Sequence, residues 1–198
     1  MTNLLHRLVA RPAVYDLLQN LLGARKSLEK LRRLLVDVGA TTVLDVGAGT
    51  GNGLRVLPIQ ARYLWLDNDP QKLAGLEHVD RPFLAVLASA TAIPLGARSV
   101  DIALCIAMSH HLDDRQISEL LSELSRVCRG RMIFLDPVER AESFVSRLLW
   151  RYDRGSYPRR VDVLRELVQA RFQIEYEEEY SIYHHYWLCC ARVHEATQ

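Results

Sequence analysis

The chain has 198 residues, of which 49% are hydrophobic and 25% charged, so it is long enough for one domain with a sizeable core. Its 25 basic and 24 acidic side chains nearly balance, which disfavours partners held by bulk charge, such as nucleic acid or an anionic membrane. No apolar run approaches the roughly 20 residues of a membrane span, and no secretory pattern opens the chain, so we expect a cytoplasmic protein.

The four cysteines lack the spacing of metal ligands, and no other set of potential ligands suggests a metal. Cys189 and Cys190 are adjacent within an apolar run, which places them on opposite faces of a predicted strand. We therefore expect the cysteines to be reduced residues of the core.

The first 40 residues have the pattern of two helices. Leucines and a valine recur at helical spacing between Pro12 and Gly23, and a second apolar stripe predicts a helix from about Ala24 to Val38, with Gly39 as its end signal. The other face of the second helix is basic, which is typical of a solvated surface; a membrane-surface role is the alternative.

From Thr42 onward short apolar runs alternate with helical patterns, which predicts a parallel sheet with crossover helices. The predicted strands are Thr42–Val46, Arg62–Leu66, Phe83–Leu87, Val100–Ala107 and Arg131–Asp136. Helices are predicted over Asp114–Arg129, Ala141–Tyr152 and Val161–Arg171. Period-two alternation from Phe172 and a following run over Tyr186–Ala191 predict two adjacent strands at the end of the chain.

A glycine-rich loop follows the first predicted strand and is the most informative motif. The sequence from Val43 to Gly53 ends an apolar run in Asp45 and then has glycine at alternate positions. This spacing fits neither the dinucleotide fingerprint G-x-G-x-x-G nor a P-loop, and the loop has no lysine for phosphates. The pattern favours a nucleoside ligand with a cationic, amino-acid-like end.

Four segments, in order, resemble the class I methyltransferases that use S-adenosylmethionine: Asp45–Gly51, Trp65–Pro70, Ser99–Leu104 and His110–Asp114. The resemblance covers roughly residues 40 to 136. It implies an α/β fold with a Rossmann-like, seven-stranded, mostly parallel sheet, helices on both faces and a C-terminal antiparallel edge hairpin. We expect a single domain over 1–198, with N-terminal helices in 1–40, a cofactor-binding core in 41–136, and substrate-side helices and the edge hairpin in 137–198.

The resemblance also implies roles for individual residues in binding S-adenosylmethionine. The glycine loop would hold the methionine end, with Asp45 balancing its ammonium, and Asp67 would accept hydrogen bonds from the ribose hydroxyls, with Asp69 as the alternative. Ser89 stands where the family usually has an aspartate that accepts from the adenine amine. The predicted cofactor-binding residues are Asp45, Gly47, Ala48, Gly49, Gly51, Asp67, Asn68, Ser89, Ala90 and Ile106.

His110 and His111 are the candidate catalytic residues, because imidazole suits a general base near neutral pH. The alternative is that both histidines only orient their loop. Aromatic residues interleaved with arginines after Asp136 favour an aromatic or acidic small-molecule acceptor, methylated at oxygen or nitrogen. A non-catalytic S-adenosylmethionine-binding protein and a nicotinamide-dependent oxidoreductase or epimerase are the remaining alternatives. The sequence leaves the oligomeric state open.

Overall fold

The computed structural model describes residues 24–37, 41–73, 76, 81–139, 157–182 and 184–194. Its strands are β1 (Thr42–Val46), β2 (Arg62–Asp67), β3 (Phe83–Leu87), β4 (Val100–Ile106), β5 (Cys128–Val138), β6 (Phe172–Ser181) and β7 (His185–Val193). Its α-helices are α1 (Ala24–Leu35), α2 (Pro70–Leu73), α3 (Asp114–Val127) and α4 (Val161–Gln169), with short 3-10 helices at Gly53–Val56 and Ser109–His111. The helices predicted before Gly23 and over Ala141–Tyr152 lie outside the described residues.

The seven strands form one sheet in the order β3-β2-β1-β4-β5-β7-β6. The first five strands are parallel, whereas β7 is antiparallel to both β5 and β6. The order reverses at β1, which lies between β2 and β4. In such sheets ligands bind beyond the carboxyl ends of the strands at this reversal. The predicted fold class, with its antiparallel C-terminal edge, is confirmed.

Hydrophobic side chains cover both faces of the sheet. Helix α3 lies on one face and buries Ile117, Leu120, Leu121, Leu124 and Val127. Helix α1 lies on the other and buries Leu31 and Leu35 beside the 3-10 helix at Gly53–Val56. Cys189 packs in the first core and Cys190 in the second, so the prediction that they lie on opposite faces of a strand is confirmed.

Ion pairing and ring contacts hold α1 against the far edge of the sheet. The ammonium of Lys30 lies 2.5 Å from a carboxylate oxygen of Glu178 and 4.8 Å from the centre of the Tyr180 ring. The hydroxyl of Tyr180 is 2.8 Å from that of Ser27. These contacts fix the basic helix to β6, while Arg25 and Lys26 remain exposed. No described helix is long and apolar enough to cross a membrane.

Candidate functional site

The glycine loop after β1 has three residues in the left-handed region: Gly47, Gly49 and Gly51 have φ values of 65°, 51° and 79°. A Cβ at Gly47 would overlap the side chain of Met108, so this position requires glycine for space as well as for φ. A Cβ at Gly49 would meet no atom of the described residues within 4 Å. The loop therefore packs tightly on the protein at Gly47 and is open at Gly49, where a ligand has room to approach the backbone.

Three hydrogen bonds tie this loop to β2. The Ala48 N–H donates to the carbonyl oxygen of Leu66 at 3.1 Å. The indole Nε1 of Trp65 donates to the carbonyl oxygen of Gly49 at 2.8 Å, and the Gly49 N–H donates to Oδ2 of Asp67 at 2.9 Å. Both backbone groups of the most open glycine thus have partners on β2, so the conformation of the loop is set before a ligand arrives.

Asp67, at the carboxyl end of β2, lies directly beside the glycine loop. Its Oδ1 accepts from the Asp69 N–H at 3.0 Å, so each carboxylate oxygen has one backbone partner and capacity for another. Asp69 itself accepts from the Gln71 N–H at 2.9 Å and so caps the start of α2. Asn68 is exposed between them. Asp67 is therefore the carboxylate that faces the loop.

Asp45 is buried beneath the loop, with 2% of its surface exposed. Its Oδ2 accepts from the Tyr63 hydroxyl at 2.6 Å, and Gly53 packs so closely that a Cβ there would overlap the carboxyl group. Burial raises the pKa of Asp45 to about 7, against the hydrogen bond from Tyr63. Its side chain supports the loop from within the protein, while Gly49 and Asp67 bound the open side.

The segment after β3 lies next to Asp67, since the Ala88 N–H donates to the Asp67 carbonyl oxygen at 3.0 Å. The Ser89 hydroxyl is exposed and lies 2.9 Å from that of Thr91, and it also accepts from the Thr91 N–H. Ala90 is partly buried, and Ile93 is buried in the core. The structure thus brings Ser89 and Ala90 to the same edge as the glycine loop.

The chain bends sharply after β4. Ile106 ends the strand partly buried, and Ala107 has a φ of 51°, which is unusual for a residue with a Cβ. The Ala107 N–H donates to the carbonyl oxygen of Leu135 at 2.7 Å. The bend places Met108 under Gly47, so the ends of β1 and β4 are in contact. Strained backbone of this kind is frequent at functional sites.

A buried polar cluster follows this bend. Nδ1 of His110 lies 2.5 Å from Oδ1 of Asp136, and the Ser109 hydroxyl donates to Oδ2 of the same carboxylate. His110 is 4% exposed and Asp136 is buried, whereas His111 is exposed with its ring centre 4.2 Å from that of His110. An ionised carboxylate accepts only, so in the neutral imidazole Nδ1 is the donor and Nε2 carries the lone pair. The two predicted catalytic residues therefore have different environments.

The sequence did not reveal the partners of the predicted residues. Asp136 ends a predicted strand, but its bonds to Ser109 and His110, which lie 27 and 26 residues earlier, form only when β4 and β5 pair. Arg159, one of the arginines that follow Asp136, is buried and donates to the carbonyl oxygens of Ser109 and Leu112. Spacing alone predicts neither contact.

Among the described residues, one end of β2 is surrounded by three features: the open loop at Gly49, the carboxylate of Asp67, and the edge formed by Ser89 and Ala90. Backbone groups beside a carboxylate suit a nucleoside whose ribose hydroxyls donate hydrogen bonds. The loop lacks the lysine and the spacing of phosphate sites. Fold and site together are typical of an α/β domain for a nucleoside ligand without a pyrophosphate.

Comparison with known families agrees with that class. Residues 44–135 match the family model described as a methyltransferase domain. The predicted resemblance to the class I S-adenosylmethionine-dependent methyltransferases is confirmed over these residues. No curated protein sequence matches it.

Solved structures of low sequence identity share the fold. A putative methyltransferase from Haloferax volcanii, solved in complex with the Trm112 methyltransferase activator, has a TM-score of 0.78 and 13% identity, covering 96% of this chain and 98% of that one. YcgJ protein from Bacillus subtilis has a TM-score of 0.72 and 15% identity, covering 87% and 100%. Magnesium protoporphyrin IX methyltransferase from Synechocystis, with bound SAH, has a TM-score of 0.71 and 14% identity, covering 87% and 84%.

Proposed function

We propose that the protein transfers a methyl group from S-adenosylmethionine to oxygen or nitrogen of a small-molecule acceptor, with His110 as general base. The cofactor would lie over Gly49, with its ribose on Asp67 and its adenine beside Ser89 and Ala90. The observation that carries the cofactor assignment is the arrangement of Gly49. Its N–H donates to Asp67, and the space at its Cβ position is open among the described residues. The reported complex of a related fold with SAH supports the same ligand class.

Asp45 is proposed to act on the cofactor indirectly. Its carboxyl group is enclosed by Tyr63 and Gly53, so it lies behind the loop backbone rather than on its open side. The negative charge of its ionised form, and its support of the loop, would favour binding of the ammonium at the methionine end of the cofactor. Gly47, Ala48 and Gly51 would contribute backbone groups at the same end. Asn68 and Ile106 would line the adenine and methyl-bearing ends, respectively.

The acceptor chemistry follows from the pair His110–Asp136. When bound, S-adenosylmethionine supplies a methyl group that its sulfonium makes electrophilic. Asp136 holds the Nδ1 proton of His110, so Nε2 would take the proton that a hydroxyl or amine loses as it is methylated. Proton transfer of this kind contributes typically about 10²–10⁴-fold to rate. Ser109 would keep Asp136 oriented through its second oxygen.

Two other functions make different use of the same fold, since fold alone does not set chemistry. A non-catalytic protein would bind S-adenosylmethionine without turnover, and His110 and Asp136 would then only stabilise the loop. A nicotinamide-dependent enzyme would need phosphate recognition at the glycine loop, which the spacing disfavours. The buried, oriented imidazole at the carboxyl edge of the sheet favours the catalytic function over the first alternative.

Calorimetric titration of the full chain with S-adenosylmethionine, SAH and NADH tests the cofactor assignment. We expect heat with the first two compounds and none with NADH; the reverse would overturn it. Labelled S-adenosylmethionine with a panel of small phenols, carboxylic acids and amines tests the reaction. Transfer of label to oxygen or nitrogen supports the proposal, whereas transfer to carbon only, or tight binding without transfer to any member, contradicts it in favour of the alternatives.

A further inference from the structure

The guanidinium of Arg159 bridges the two ends of the turn that carries His110. Its Nη1 donates to the Ser109 carbonyl oxygen at 3.3 Å, and its Nη2 donates to the Leu112 carbonyl oxygen at 2.7 Å. Ser109 and Leu112 bracket the 3-10 helix, so one side chain fixes both its start and its end. With 8% of its surface exposed, Arg159 is the only buried basic side chain other than histidine among the described residues.

The backbone around Arg159 joins the same loop to the end of β5. The Tyr157 N–H donates to the His110 carbonyl oxygen at 3.0 Å, and the Glu139 N–H donates to the Arg159 carbonyl oxygen at 2.8 Å. Glu139 comes three residues after Asp136, the carboxylate that holds the imidazole. The segment at Tyr157–Arg159 therefore contacts the chain on both sides of the His110–Asp136 hydrogen bond.

The contacts of Arg159 depend on its forked geometry more than on its charge. Besides the two carbonyl oxygens of the turn, the guanidinium bonds to the Tyr157 carbonyl oxygen at 3.2 Å and to Oδ1 of Asp114 at 2.8 and 3.1 Å. The Asp114 side chain is 96% exposed, so water screens this ion pair. An ammonium has three donors around one point and cannot span these acceptors, so lysine is a poor substitute.

The turn requires external support because its entry is strained. Ala107, two residues before Ser109, has a φ of 51° and bonds through its N–H to β5. A residue with a Cβ in this region costs of order 1 kcal/mol or more and persists where surrounding contacts hold it. Arg159 supplies such contacts at both ends of the turn, at Ser109 and at Leu112.

We propose that Arg159 is a positioning residue for the reaction, holding the turn so that His110 presents Nδ1 to Asp136 and Nε2 to the acceptor. This rests on the proposed role of His110 as general base. Without the guanidinium, the ends of the turn lose their common donor and the imidazole samples other orientations. The pairing of Nδ1 with Asp136 then becomes one of several states, and the fraction of enzyme with the correct tautomer falls.

Nuclear magnetic resonance of the histidine side chains in the full chain tests this directly, without an acceptor. Long-range ¹H–¹⁵N spectra distinguish the Nδ1–H from the Nε2–H tautomer, and a His110→Gln variant assigns the signals. We expect a single Nδ1–H tautomer for His110 in the wild type and in Arg160→Gln. Arg160 is the matched control, because it is exposed and pairs only with neighbouring Asp162 among the described residues. In Arg159→Gln we expect exchange-broadened or mixed-tautomer signals.

Unchanged His110 signals in folded Arg159→Gln would overturn the proposal. If that variant does not fold, Arg159→Lys, which keeps the charge, replaces it, with mixed tautomers expected and the wild-type pattern contradicting the proposal. Titration with SAH distinguishes a wrong role for Arg159 from a wrong cofactor, because no hydrogen bond or ion pair among the described residues joins Arg159 to the glycine loop. We expect the Kd for SAH in Arg159→Gln to stay within about twofold of wild type. Absence of SAH binding in the wild type would refute the proposed function, while the tautomer would still report on Arg159.

Discussion

The hydroxyl of Tyr63 donates a hydrogen bond of 2.6 Å to Oδ2 of Asp45, joining β2 to β1 in the layer beneath the glycine loop. Burial raises the pKa of both groups, that of Asp45 to about 7. The residue that opens the sequence motif is thus a buried carboxyl group with one side-chain hydrogen bond. Because its pKa is about 7, this carboxyl group ionises in a pH range in which the stability of the fold is easily measured.

Asp45 makes the stability of the fold depend on pH. Its pKa in the folded protein is above its ordinary value of 3.8, so at pH values well below 3.8 both states are protonated and the residue does not lower stability. As pH rises from about 4 to about 7 the unfolded state ionises first and stability falls, by about 4 kcal/mol at most. Urea unfolding of Asp45→Asn and wild type should therefore show an advantage of Asn that grows from pH 5 to pH 7.5. A constant difference would contradict the raised pKa.

Alanine substitutions at Gly49 and Gly53 should have different effects, the first on ligand binding and the second on folding. Alanine at Gly53 would overlap the Asp45 carboxyl group, so Gly53→Ala should lower the melting temperature markedly. The methyl group of alanine at Gly49 would contact none of the described residues, and its left-handed φ costs about 1–2 kcal/mol. Its methyl group would occupy the proposed ligand space. Gly49→Ala should therefore lose most S-adenosylmethionine binding in calorimetry while remaining folded; binding at wild-type affinity would exclude a cofactor above Gly49.

Asp67 should determine cofactor affinity. Asp67→Ala removes a charged acceptor of ribose hydroxyls and the partner of the Gly49 N–H, so we expect the Kd for S-adenosylmethionine to rise at least tenfold, or about 1.4 kcal/mol. Asp69→Ala is the matched control, because Asp69 only caps α2 in the described structure. A larger loss in Asp69→Ala than in Asp67→Ala, measured by calorimetry, would reassign the ribose to Asp69.

The fold was predictable because each strand carries its own pattern. The bounds of β1 and β3 were predicted correctly, and those of β2 and β4 within one residue. The prediction for β5 was too short at both ends, because Cys128 continues straight from α3 without a loop and pairing with β7 extends the strand to Val138. Helices ended earlier than predicted: the described α1 stops at Leu35, not Val38.

The site was predictable where neighbouring parallel strands end, and not where distant segments meet. Gly49 and Asp67 come together because β1 and β2 pair in register, which the motif order implied. The burial of Arg159 has no local signal, since three of its four acceptors are carbonyl oxygens, which every sequence has. The different environments of His110 and His111 likewise depend on which ring faces Asp136, a matter of backbone geometry after β4.

The two histidines should therefore contribute unequally to methyl transfer. His110→Ala removes the proposed base, and we expect kcat to fall by about 10²–10⁴-fold on a hydroxyl or amine acceptor. Asp136→Asn should also lower kcat substantially, because an amide can donate to Nδ1 and so favour the wrong tautomer. His111 is exposed, with its ring centre 4.2 Å from that of His110, so His111→Ala is the control and should retain most activity.

Calorimetry with SAH should give similar affinities for all three variants, because none of these side chains belongs to the glycine loop or to β2. Wild-type rates in His110→Ala would remove the general-base mechanism, and the reaction would then depend on positioning of the acceptor alone.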